Sequence, residues 1–133
     1  MDTGKSALGL DGNVAAALGY PIGIIAIICL VMEKENRFVK FHALQSLLLH
    51  AAYIILALVM VFIFLILTFV GIAASAATNS GAGVGLMGML SMLIWFALIV
   101  AYLVVLVMSA VKAYGGTMFK LPVIGNLAEK WTK

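Results

Sequence analysis

Charge is missing from this sequence over unusually long distances. Three stretches, Asn13–Met32, Leu47–Gly71 and Leu86–Val111, contain no Lys, Arg, Asp or Glu at all. Only 10% of the 133 residues are charged, and 65% are hydrophobic, whereas a water-soluble domain carries about a quarter charged residues. A chain this short has no core large enough to hide so much apolar surface from water. That excludes a soluble globular fold. Each uncharged stretch reaches the ~20 residues that cross a ~30 Å hydrocarbon layer as helix. The expected fold is therefore an all-α integral membrane protein, a single membrane domain with three transmembrane helices.

Other scarcities narrow the chemistry. Cys29 is the sole cysteine, which rules out an internal disulfide and reads as a small apolar residue. The uncharged stretches lack any carboxylate, any Ser/His/acid set and any cofactor fingerprint, so a non-enzymatic protein without a cofactor is expected. His42 and His50 stand eight positions apart with no Cys or carboxylate nearby, a poor pattern for a metal site. The net charge of +3 comes from scattered residues with no basic stripe, which argues against a nucleic-acid partner. Residues Met1–Gly12 set Asp2 and Asp11 against Lys5, unlike the positive start of a secretion signal, so the first stretch reads as a retained span.

The basic residues that are present lie between or beyond the stretches. Lys34, Arg37 and Lys40 follow the first; Lys112, Lys120, Lys130 and Lys133 follow the third; Lys5 alone precedes them. For three spans the positive-inside rule then predicts an outer N-terminus and a cytoplasmic C-terminus, in a multi-pass plasma-membrane protein. The bilayer and its anionic headgroups are the expected partners of these cations.

Along the first span, Ala15, Gly19 and Gly23 form a small-residue stripe suited to close helix packing, with a kink expected at Pro21. A flexible lipid-facing helix is the alternative. From Phe38 to Ala76 there is no proline and no glycine except Gly71, so the second helix is longer than the hydrocarbon layer and is expected to begin at the membrane interface, over about 38–48. The composition of Ala73–Gly85 suggests an outer loop. Gly115 and Gly116 end the third helix. A tail helix over about 122–132 places Ile124, Leu127, Ala128 and Trp131 on one face; it either lies in the membrane plane or docks on the protein. Lys112, Lys120 and Trp131 are the expected interfacial anchors.

Polar groups in hydrocarbon are costly, so they mark function by default. Here they gather at the start of the second helix, where Arg37, Phe38, His42, Gln45, Ser46, His50 and Tyr53 form a candidate strip. At 100° per residue, Phe38, His42 and Gln45 share one stripe, and Ser46, His50 and Tyr53 the adjacent one. Helix–helix hydrogen bonding, a proton relay and a polar path for a transported species are the competing roles.

Two segments carry a resemblance. One is Tyr20-Pro21-Ile22-Gly23 followed by Glu33 to Ser46, with its Phe-Val-Lys-Phe-His-Ala-Leu-Gln-Ser string. The other is Lys120-Leu121-Pro122-Val123-Ile124-Gly125-Asn126-Leu127-Ala128-Glu129-Lys130. Together they resemble a small prokaryotic membrane-protein family, itself distantly similar to the twenty-kilodalton membrane subunit of the chloroplast inner-envelope import translocon. The resemblance implies a helical membrane fold and, for the plastid relatives, a part in moving precursor proteins. Within the motif it points to Arg37, Phe38, His42 and Gln45. The functional expectation is an interaction or assembly module linked to protein insertion or translocation, acting with a membrane-protein partner or as a homo-oligomer. A homo-oligomeric channel or small-solute transporter with a polar cytoplasmic mouth is the alternative.

Overall fold

The computed structural model describes residues 3–132. Its helices are α1 (Gly12–Leu18), α2 (Gly23–Met32), α3 (Arg37–Thr78), α4 (Ala82–Tyr114) and α5 (Ile124–Trp131). No strand is present among the described residues; the one β-bridge joins Lys5 and Asp11. The chain divides into two units, one made of residues up to Ala52 and from Leu103 onward, the other of Tyr53–Tyr102.

Helices α3 and α4 form because nothing in them stops a helix. Their 42 and 33 residues correspond to ~63 Å and ~50 Å at 1.5 Å per residue. Both exceed the hydrocarbon thickness and are apolar enough to cross it. Within the Tyr53–Tyr102 unit large apolar side chains point outward, with Phe62 69% and Phe69 72% exposed. Lipid, not water, is the solvent that such a surface suits.

The expected outer loop is mostly helix. Thr78 ends α3 and Ala82 begins α4, because an Ala-rich segment favours helix and Gly83 serves packing. A Cβ on Gly83 would lie 2.7 Å from the Gly71 carbonyl and 2.9 Å from the Ala74 Cβ. Only a bare backbone permits that approach. Elsewhere in the same unit Tyr53 stacks on Tyr102, ring centroids 4.1 Å apart and 23° from parallel.

The first apolar stretch corrects the expectation of one spanning helix over 13–32. It is two short helices of 7 and 10 residues, neither long enough to cross. Pro21 lacks the N–H that would continue the ladder and clashes with the preceding turn, and the chain reverses rather than kinks. The ends of the pair are fastened together. Asn36 Nδ2 donates to the Thr3 and Lys5 carbonyls at 2.7 and 3.1 Å, and the Ala7 N–H donates to Glu33 Oε2 at 2.7 Å. The pair is thus a helical hairpin with its tip at 19–23. Ala15, Gly19 and Gly23 are consequently not a stripe on one helix. Ala15 lies buried in the core, Gly19 caps α1, and Gly23 opens α2.

Ala15, Ala26, Cys29, Val39 and Ala43 form the buried core of this unit, where the hairpin meets the start of α3. Helix α4 ends as expected: Gly116 adopts φ 72°, and its N–H reaches the Ala113 carbonyl while that of Thr117 reaches Lys112. This paired pattern closes the last turn, and glycine adopts its left-handed backbone without Cβ strain. The Asn13 side chain donates to the Tyr114 carbonyl at 2.9 Å. The N-terminal arm and the end of α4 therefore lie side by side in this unit.

Candidate functional site

The polar strip at the start of α3 becomes a buried hub. His42, Gln45 and Ser46 are each 0% exposed, as is Tyr20 at the end of α1. His42 Nε2 lies 3.1 Å from the Thr117 carbonyl. A carbonyl only accepts, so Nε2 carries a proton. In the neutral ring Nδ1 then accepts, and the Tyr20 hydroxyl, 3.0 Å away, is its donor.

Gln45 completes the set. Its Nε2 donates to the Tyr20 oxygen at 2.7 Å and to the Phe119 carbonyl at 3.0 Å. Its Oε1 accepts the Leu121 N–H at 3.1 Å. Ser46 Oγ donates to the Gly19 carbonyl at 2.7 Å, tying α3 to the hairpin tip. Phe38 and Phe41 meet the His42 ring edge-on at 4.6 and 5.0 Å between centroids. No buried side-chain N or O among the described residues lacks a partner. A network satisfied this fully, in a low-dielectric setting, rigidifies the elements it joins.

The hub gathers Phe38, His42, Gln45 and Ser46 but not the whole strip. Arg37 is exposed at the first turn of α3. His50 is half-buried and donates from Nδ1 to the Ser46 carbonyl at 2.7 Å, beside Gly23. Tyr53 belongs to the other unit, stacked on Tyr102. Lys120 pairs with Glu129 at 2.9 Å, Lys112 is exposed in the last turn of α4, and Trp131 is exposed on α5. The tail helix docks on the protein's own hub. A Cβ on Gly125 would lie 2.7 Å from Gln45 Oε1 and 2.8 Å from Lys120 Cα, and Ala128 is fully buried.

Three contributors were not singled out from sequence. Tyr20 sits 22 positions from the histidine it serves, and only its place beside Pro21 drew notice. Asn36 caps α3 through Oδ1 and the Val39 N–H, and a polar residue just before a helix is the usual signal. Glu33 precedes α3. It accepts the Ala7 and Asn36 N–H groups. Burial acts to raise its carboxyl pKa, but the backbone N–H donors outweigh that and hold it below the usual value.

Chemically, the hub holds and orients. Its imidazole has both nitrogens engaged and its amide has both ends engaged. Among the described residues no group of three or more His, Cys, Asp or Glu could hold a metal ion.

Two long apolar helices in an all-helical chain, capped at one end by a polar-locked hairpin, define a small helical membrane protein. The chain belongs to the family described as the magnetosome magnetite crystal formation protein family, whose pattern matches residues 7–128. Among its relatives is a UPF0132 membrane protein of Methanocaldococcus jannaschii, 36% identical over 98% of this chain and 96% of that one. A UPF0132 membrane protein of Archaeoglobus fulgidus is 34% identical over 89% of this chain and 92% of that one. A second from Methanocaldococcus jannaschii is 29% identical over 94% of this chain and 73% of that one. No solved structure matches the chain.

Proposed function

We propose that this protein is a non-enzymatic assembly module of the plasma membrane that assists insertion or translocation of polypeptides, working with a membrane-protein partner or as a homo-oligomer. The observation that carries the reading is the hub itself. His42, Gln45, Ser46 and Tyr20 spend their hydrogen bonds on the hairpin and the Thr117–Leu121 strand of chain. That makes a rigid scaffold whose charged rim, Lys34, Glu35 and Arg37, stays exposed for contacts. The plastid likeness of the α2–α3 motif supplies the translocation part of the reading.

A homo-oligomeric channel with His42 and Gln45 at a wet mouth fits less well, because those groups are sealed from solvent and conduction needs polar lining. The family description names magnetite formation, but the reading does not extend to mineral binding. Asp11 and Glu129 are paired with lysines and Glu33 with backbone N–H groups, leaving no cluster of carboxylates among the described residues.

Two crossings, by α3 and α4, return the chain to the side it left. The basic residues of the α2–α3 and α4–α5 connections support a cytoplasmic assignment of that side in this reading. In cells, a photocrosslinker at Lys34 or Arg37 should capture a discrete membrane partner or a nascent polypeptide. Ion flux through liposomes holding the pure protein, with no crosslinked partner in cells, would replace this reading with the channel.

A further inference from the structure

We infer that the groove between the N-terminal arm, the α2–α3 connection and the Gly115–Met118 segment is a binding site for one anionic glycerophospholipid. The inference rests on the membrane setting proposed above and shares Lys34 and Arg37 with the proposed contact rim.

The groove has a volume of about 1200 Å³, room for a lipid headgroup and the first part of its acyl chains. Its wall is of two kinds. Lys34 and Arg37 line it and are exposed, and their side chains make no ion pair or hydrogen bond among the described residues. Lys5 is already held by Asp11 at 2.6 Å, and Glu33 has its oxygens on the Ala7 and Asn36 N–H groups. Two uncommitted cations are thus available to a phosphate, which ionised donors bind about twice as strongly as neutral ones do.

Glu35 also lines the groove, and a carboxylate beside the cations disfavours a bare phosphate. It suits a phosphodiester whose headgroup offers hydroxyl donors. The rest of the wall is apolar: Met32 is 52% exposed, Met118 is 37% exposed, and Phe38 is half-buried. Such side chains gain nothing from a wet anion site, but they match glycerol and acyl carbons. A lipid with a hydroxylated anionic headgroup, such as phosphatidylglycerol, satisfies both halves at once. The surrounding bilayer supplies it.

The test uses the full chain, delipidated in a non-ionic detergent and titrated calorimetrically with dioctanoyl phosphatidylglycerol. Dioctanoyl phosphatidylcholine and inorganic phosphate are the comparison ligands. Saturable one-site binding of phosphatidylglycerol is expected, at least tenfold tighter than that of the other two. The Lys34→Gln/Arg37→Gln variant should weaken it by about tenfold or more, while Lys130→Gln, outside the groove, leaves it unchanged. Met118→Ser should weaken the lipid alone. Unsaturable binding, or binding indifferent to the double variant, overturns the site. Phosphate binding as tight as the lipid overturns the choice of ligand. A double variant with a lowered unfolding temperature is replaced by Arg37→Lys, which keeps the charge and should keep most of the binding. Calorimetry on the pure protein reads lipid alone and crosslinking in cells reads a polypeptide partner, so failure of one is distinguishable from failure of the other.

Discussion

The Asn13 amide and the Tyr114 carbonyl meet at 2.9 Å across 101 positions of sequence. The first residue pairs a turn of α1 with the last turn of α4, so the start of the hairpin and the exit of the second long helix share one end of their unit. Asn36 adds a second tie to the same end through the Thr3 and Lys5 carbonyls. Those ties bring residues 3–5, 13, 36 and 114 together, and the proposed two-crossing arrangement puts them on one side of the membrane.

Single cysteines in a Cys29→Ser background read this directly. Lys5→Cys and Lys130→Cys should react with a membrane-impermeant maleimide from the same side of sealed vesicles. Ser80→Cys, in the turn between α3 and α4, should react from the other. Labelling of Lys5→Cys and Lys130→Cys from opposite sides would sink the two-crossing arrangement.

Gln45 is the joint between the hub and the C-terminal segment. Truncation to Ala leaves the Leu121 N–H and the Phe119 carbonyl buried without their partner, at about 1–3 kcal/mol for each group. Gln45→Ala should lower the unfolding temperature in detergent and expose Thr117–Leu121 to limited proteolysis. Tyr53→Phe, in the other unit and with its ring stack retained, should change neither. Equal proteolysis of both variants would mean that the segment is held by something else.

Much of this was legible in the sequence. The two long helices follow from the absence of breakers, and the end of α4 from Gly115 and Gly116. The polar strip was visible because His42, Gln45 and Ser46 interrupt an apolar face. The hairpin was not visible. Pro21 marks a break, but the reversal is fixed by Glu33 and Asn36 bonding to residues 26 to 33 positions away, and no local periodicity encodes such distances. Ala73–Gly85 misled for a related reason. Gly83 serves a close approach to Gly71, and only residues 79–81 lie outside helix.

Gly125 shows how a glycine can be required by space alone. Any Cβ would enter the volume of Gln45 Oε1 and the Lys120 backbone. Gly125→Ala should therefore undock α5 and increase cleavage between Thr117 and Pro122. Gly85, which has nothing within 4 Å of its would-be Cβ, is the control. Gly85→Ala should be neutral or stabilising by up to about 1 kcal/mol, from helix propensity. An undisturbed tail in Gly125→Ala would remove the docking contact from the account.

Val123 holds a backbone that its side chain resists. It has φ 65° and ψ −61°, with the Ile124 N–H bonded to the Pro122 carbonyl at 2.7 Å. A left-handed three-residue turn is strained for a β-branched residue, by roughly 1–3 kcal/mol. Its side chain is 71% exposed, so little packing would be lost. Val123→Gly should raise the unfolding temperature, for a net gain of about 1 kcal/mol after the entropy cost of glycine. A lowered temperature would show that the turn is not the strained element.

Glu33 gives the fold a pH dependence whose sign is set by its partners. Its carboxylate accepts N–H bonds from Ala7 and Asn36, and its pKa is held below the ordinary 4.5. A carboxyl whose folded pKa is depressed stabilises the fold fully above its unfolded value. That contribution is lost as pH falls through the folded value. The unfolding temperature of the natural chain should therefore be flat from neutral pH to about 5 and decline below it, with ~4.3 as the unfolded reference. Glu33→Gln keeps the shape but not the charge. It should unfold at a lower temperature at pH 7, and its curve should decline less steeply in acid. Parallel acid declines for the two proteins would show that another carboxylate governs the transition and that the Ala7 and Asn36 bonds do not anchor the hairpin.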